Sequence, residues 1–301
     1  MTSPTDTSTA TRDDLDRRLA EVEGVVLDID GCLVLSALPG GHGGAPLPGA
    51  GRAIADLRAT GRSLVVFTNA SSQVPRGIAA SLASMGLDLA EDDVLTPSVI
   101  AAEVLRQRFG DGPVLAFGGP GLLDVLTQAG IALVDPSRPD EAVAVMVGWD
   151  PDFDRDKIQS AAEALWNGAP LLVTSDARHF ASTGRPTAGV SGFIASGLSY
   201  ISGADYEVVG KPSTAAMTVA ARRLATSPDK VLVAGDDLTL EVSMARNAGG
   251  VGVLVTTGTH GRDDAAAVDV DQAPHLVVDG LEELVDRISE ADRRAGRDVS
   301  R

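Results

Sequence analysis

Short β-branched runs recur along this chain, each followed by residues spaced for a helix, and that alternation confines it to parallel βαβ units. GVVLDI from Gly24 leads into a helical pattern over Ala50 to Ala59, and SLVVFTN from Ser63 leads into another that begins near Pro75. The chain closes in the same manner, with KVLVAGD from Lys230, a helix over Leu240 to Ala248, GVGVLVTTG from Gly250, HLVVDG from His275 and a last helix. These two ends read as one doubly wound parallel sheet. Between them PVLAFG, IALVD, AVAVMVGW and PLLVTS repeat the alternation separately. An inserted α/β domain is therefore expected at residues 86–206, inside a discontinuous core of 12–85 and 207–288. Residues 1–11, rich in Ser and Thr, read as a disordered lead-in, and 289–301 as a charged tail.

With 301 residues and 44% apolar composition, both domains have material for a core of their own. Acidic residues number 42 against 25 basic, a net charge of -17, and no basic stripe breaks that field, so nucleic acid is excluded as a partner. The longest apolar runs, such as 142–148, fall far short of the roughly 20 residues needed to cross a bilayer. The opening MTSPTDTSTATRDDLD lacks the apolar segment of a signal peptide, and Cys32, the lone cysteine, allows no disulfide within the chain. The expectation is a cytoplasmic protein with no membrane partner.

Asp28 and Asp30 close the run GVVLDID just before Gly31, which puts both carboxylates at the carboxyl edge of a strand. Open α/β sheets bind their ligands at that edge. SLVVFTN ends there in Thr68 and Asn69, and KVLVAGDD ends in Asp236 and Asp237. Lys211 joins them from GKPS, where Pro212 and Ser213 have the form of a helix start. So many carboxylates share a site only with a cation and an anionic ligand between them. Magnesium and a phosphoryl group fit. Mg2+ would take the Asp28 and Asp236 carboxylates, a backbone carbonyl at Asp30 and waters, while Lys211 and the Thr68 hydroxyl hold phosphate oxygens.

In order, DIDGCL, VVFTN, GKPS and GDDLTLE resemble the four motifs of haloacid dehalogenase superfamily phosphatases, over residues 24–280. The insertion between the second and third motifs is similar to the class IIA capped branch, which holds NagD-like nucleotide, nitrophenyl-phosphate, phosphoglycolate and glycerol-phosphate phosphatases. The resemblance implies a Rossmann-like core, a mobile α/β cap and a homodimer formed through the cap. It makes Asp28 nucleophile and magnesium ligand, Asp30 acid and base, Thr68, Asn69 and Lys211 phosphate binders, and Asp236 a magnesium ligand. The pattern is broken in three places. Ala70 stands where the branch commonly has a second asparagine, Asp237 where arginine is frequent, and Glu241 takes the last acidic position of the fourth motif. Glu241 is expected to reach metal-bound water, with Asp237 as its substitute.

Each of these residues has a plainer reading. Asp-Gly pairs mark turns, Thr68 and Asn69 can cap a helix, Asp237 can be a solvated acid, and Glu241 can offset a helix dipole. It is the ordered combination that favours chemistry. Cys32 has no base beside it in the sequence and reads as packing. His42, in the run GGHGGAP, tops a mobile loop and is given no site role, while Arg178 and His179 fall where a cap would select substrate. The expected function is magnesium-dependent release of phosphate from a small phosphate ester through an aspartyl phosphate. A phosphomutase, another phosphotransferase, and a receiver-like or phosphate-binding protein without turnover are the alternatives. Asp30 favours hydrolysis, because dehalogenating relatives need no acid for a leaving group and lack it. The 3% aromatic content gives little to stack on a base or a pyridoxal ring, and the substrate itself stays open.

Overall fold

Every residue of β1 (Gly24–Leu27) is buried, and because strand side chains alternate, Val25 and Leu27 enter one apolar layer while Val26 enters the other. A strand covered on both faces belongs inside a parallel sheet. In the computed structural model, which describes residues 6–35, 40–41, 43–180 and 187–297, it lies in the middle of one. It pairs in parallel with β12 (Val231–Gly235) on one side and β4 (Ser63–Phe67) on the other, with Gly24 opposite both Val231 and Ser63. Beyond β12 come β13 (Val251–Val255) and β14 (Leu276–Val278), and beyond β4 comes β5 (Val94–Leu95). The order among the described residues is β14-β13-β12-β1-β4-β5. Strand order reverses between β1 and β12, and the crevice outside their carboxyl ends is where such sheets bind ligands.

α1 (Asp6–Glu21), α2 (Ala50–Ala59), α3 (Pro75–Ser84) and α11 (Leu281–Arg294) cover one face of this sheet. α4 (Pro97–Phe109), α8 (Thr214–Arg223) and α9 (Ser243–Asn247) cover the other. The chain also forms α10 (Arg262–Ala267) and a short ladder of β2 (Val34–Leu35) with β3 (Ala45–Pro46). A second parallel sheet makes the cap, in the order β11 (Tyr206–Val208), β8 (Leu171–Val173), β7 (Ala144–Val147), β6 (Val114–Phe117). α6 (Arg155–Trp166) and α7 (Val190–Ser202) pack on one face of it. Its other face, through Val114, Ala144, Met146 and Leu172, shares a single apolar cluster with α4, α5 (Pro120–Gln128), α8 and the core strands. Among the described residues no helix is long and apolar enough to cross a membrane.

Several expectations are corrected. α1 begins at Asp6, within the expected lead-in, and runs without a break into the segment that packs Leu19 and Ala20 beneath α11. The tail that begins at 289 stays helical to Arg294, where buried Asp292 receives two hydrogen bonds from the buried Arg62 guanidinium at 2.8 and 2.7 Å. IALVD forms no strand: only Leu133 bridges to Val114, while Ile131 and Val134 pack into two different apolar clusters. The core sheet runs past 85 to take in β5, and the cap sheet runs past 206 to take in β11, since strands of two and three residues show no period. His42 lies outside the described residues.

Candidate active site

The site is assembled from strand ends. Asp28 directly follows β1, and its N–H donates to Ala234 O at 2.9 Å, which extends the ladder with β12 by one residue and fixes where the side chain starts. Asp236 follows β12, and Thr68 and Asn69 follow β4. Lys211 arrives from the cap sheet, past β11, and is held in place by the helix after it. Ser213 caps α8 by accepting the Ala216 N–H at 3.0 Å. Asn69 clasps the lysine backbone from both sides, accepting from Lys211 N at 3.0 Å and donating to Lys211 O at 3.2 Å. Gly210 lies so close that a Cβ there would stand 2.7 Å from Asn69 Oδ1.

Lys211 is 2% exposed, and its ammonium donates to Asp28 Oδ1, to Glu241 Oε1 at 2.6 Å and to Phe67 O at 2.8 Å. Burial works against its charge, but the Asp28 and Glu241 carboxylates outweigh burial and hold the lysine above its usual range. Burial pushes the Asp28 carboxyl well up, and raises Glu241 and Asp236 as well. One lysine faces three buried carboxyls. When all three ionise, the site keeps an excess of negative charge that a second cation would relieve.

The donors present fit such a cation. Asp28 and Asp236 line one narrow cavity of about 60 Å³ together with Asp30, Thr68, Asn69, Lys211 and Glu241, so oxygen is the ligand atom available. Gly31 and Gly258 leave room for the Asp236 carboxylate, since a Cβ on either would collide with it. Thr259 N–H donates to Asp236 Oδ2 at 2.6 Å and sets its direction. Among the described residues no group of three or more His, Cys, Asp or Glu side chains is placed to hold a metal ion by itself. Two carboxylates suit an ion that keeps much of its water.

Asp30 stands apart from the lysine. Its carboxylate accepts from Gly40 N at 2.7 Å and Gly41 N at 3.1 Å, both at positive φ, and Thr68 Oγ1 lies 3.4 Å from it. Two of the departures take unexpected places. Glu241, expected on metal-bound water, spends one oxygen on Lys211, and the other accepts Asp237 N–H at 3.1 Å. The Asp237 carboxylate, expected as its substitute, caps the following turn by accepting from Thr239 N at 2.7 Å and Leu240 N at 3.2 Å. Gly235 allows the Glu241 contact, because a Cβ there would overlap the glutamate. Cys32 is packing: burial and then the Asp28 charge push its thiol well up, away from the reactive thiolate.

From the cap, His179 and Ala177 line the same cavity. His179 belongs to β9 (His179–Phe180), which pairs antiparallel with β10 (Thr187–Ala188). Arg178 instead lines a larger cavity of about 660 Å³ beside Asp176, Phe193 and Tyr206, with Ala177 shared between the two. Sequence reasoning passed over Thr259 and Leu240, which also line the catalytic cavity. The only signal for Thr259 was its place just after VGVLVTTG, at a third strand end.

Residues 25–132 match the family described as haloacid dehalogenase-like hydrolase, and residues 208–284 match HAD-hydrolase-like. Chronophin from Homo sapiens is 30% identical over 289 residues, covering 90% of this chain and 95% of that one. The 4-nitrophenylphosphatase of Thermotoga maritima superposes with a TM-score of 0.79 at 27% identity, over 89% of this chain and 98% of that one. Glycerol phosphate phosphatase from Mycobacterium tuberculosis, solved in complex with magnesium, gives 0.78 at 25% identity, over 88% and 77%.

Proposed function

The chain belongs to the haloacid dehalogenase-like hydrolases and is a phosphatase of that family, and from that premise we propose that it hydrolyses small phosphate monoesters through an aspartyl phosphate on Asp28, with magnesium. The observation that carries this reading is the placement of Asp28 at the end of the central strand, paired to buried Lys211 and flanked by Asp30 and Asp236.

Asp28 attacks phosphorus in line with the leaving oxygen, and Lys211 works against the burial that disfavours its ionised, nucleophilic form. Asp30, held by the Gly40 and Gly41 N–H groups, gives its proton to the leaving oxygen. The same group then takes a proton from the water that attacks the aspartyl phosphate. Thr68, Asn69 and Lys211 hold the phosphoryl oxygens. Magnesium, held by Asp28, Asp236 and the Asp30 carbonyl, would offset the charge on the transferring group. The relatives support the substrate class, since they include a 4-nitrophenylphosphatase and a glycerol phosphate phosphatase.

Phosphate release across a panel of esters tests the reading. Stripping divalent metal with a chelator is expected to lower kcat at least about a hundredfold, and magnesium to restore it. Full activity after exhaustive chelation would refute the metal assignment. For the cap, His179→Ala is expected to shift the kcat/KM ratio between esters of different leaving groups by about tenfold, with the magnesium requirement unchanged. An equal loss on every ester would put selection elsewhere in the cap.

A further inference from the structure

Resting on that reading, we propose that Ser71 is a positioning residue whose hydroxyl couples the seating of the cap to the phosphate-binding segment Thr68–Asn69. Ser71 lies two residues past Asn69 and is 3% exposed. Trp149 N–H, at the carboxyl end of β7, donates to Ser71 Oγ at 3.0 Å. Thr174 Oγ1, at the carboxyl end of β8, donates to it at 3.2 Å, and Ser191 Oγ in the first turn of α7 lies 3.3 Å from Thr174 Oγ1. Gly121, in the first turn of α5, packs so tightly that a Cβ would collide with the backbone of Ser71 and Gln73. Parts of the cap that are remote in sequence thus rest on one core loop.

The contact also closes a ring. Thr174 O accepts Gly210 N–H at 3.1 Å, Gly210 precedes Lys211, and both polar ends of the Asn69 amide bond the Lys211 backbone. From Asn69 the chain returns to Ser71. A cap displacement that moves Thr174 therefore pulls on Asn69 from two sides, along the chain through Ser71 and at its amide through Gly210 and Lys211. In a buried ring each hydroxyl needs its partner, so removing one breaks the coupling without touching any group that meets substrate.

The test follows exchange of the Trp149 amide, with and without inorganic phosphate and magnesium, beside kcat/KM on an aryl phosphate. In the wild-type protein phosphate is expected to slow that exchange. Ser71→Ala and Thr174→Val should still bind phosphate but lose most of the slowing, with kcat/KM down about tenfold. Thr174→Ser, which keeps the hydroxyl, should behave as wild type. If Ser71→Ala does not fold, the shape-conserving pair at position 174 decides alone. Phosphate-dependent slowing that survives in Thr174→Val, or an equal loss in Thr174→Ser, overturns the coupling. A wild-type protein that releases phosphate from no ester overturns the phosphatase reading, and the coupling with it.

Discussion

Asp28→Asn is expected to lower phosphate release at least about a thousandfold while leaving the fold in place. The amide keeps the shape of the carboxylate but is no nucleophile toward phosphorus and is a poor ligand for a hard cation. The fold should hold for a local reason. Lys211 keeps Glu241 and Phe67 O as acceptors, and the site loses one of three buried carboxyls whose ionised forms burial disfavours. Steady-state release and acid-quench trapping of phosphoprotein measure the first effect, and the thermal midpoint measures the second. Turnover close to wild type in the asparagine variant would remove Asp28 as nucleophile.

Lys211→Met is expected to destabilise the protein by about 3–5 kcal/mol at neutral pH, the usual effect of removing one partner from a buried ion pair. It should abolish turnover as well. The methionine matches the lysine in length but leaves Asp28 and Glu241 facing one another without a cation. The sign of the pH dependence follows from the carboxyls. Their folded values lie above their unfolded ones, so the folded state binds more protons and stability falls as pH rises above about 4. Lys211 restrains that loss in the wild-type protein, so the gap in midpoint between variant and wild type should widen from pH 4 to pH 7. Magnesium should narrow it again. A gap that ignores both pH and metal would mean that Lys211 acts by packing alone.

The strands that carry the chemistry were legible because each is a buried β-branched run ending in polar residues. β1, β4 and β12 fell where the pattern put them, and α2 matched its expected bounds. β5 and β11 escaped because a two- or three-residue strand shows no period, and both mark the junction between sheets. IALVD misled for the opposite reason, since its apolar residues pack on other elements without a ladder. Within the site, residue types were readable and partnerships were not. Asp237 caps its own turn, a role local sequence allows as readily as a solvated acid, while nothing local in GDDLTLE told that Glu241 would reach back to the lysine. The Glu241 contact depends on Gly235 and on a lysine 30 positions earlier, and only the fold brings them together.

The pairing of β1 with β12 also bears on how the molecule comes into being. Gly24 lies opposite Val231, so the central strand leaves the ribosome early and waits for one neighbour while the whole cap is translated. Until then β1 has only β4 beside it, and its other edge carries open backbone groups and apolar side chains. The cap sheet, whose strands all lie between Val114 and Val208, can close before the core does. Asp28 and the Asp236 carboxylate that shares its cavity therefore meet only late in folding, across a contact of long sequence separation that forms slowly. A nascent chain with an exposed edge and no working site is the natural client of a chaperone.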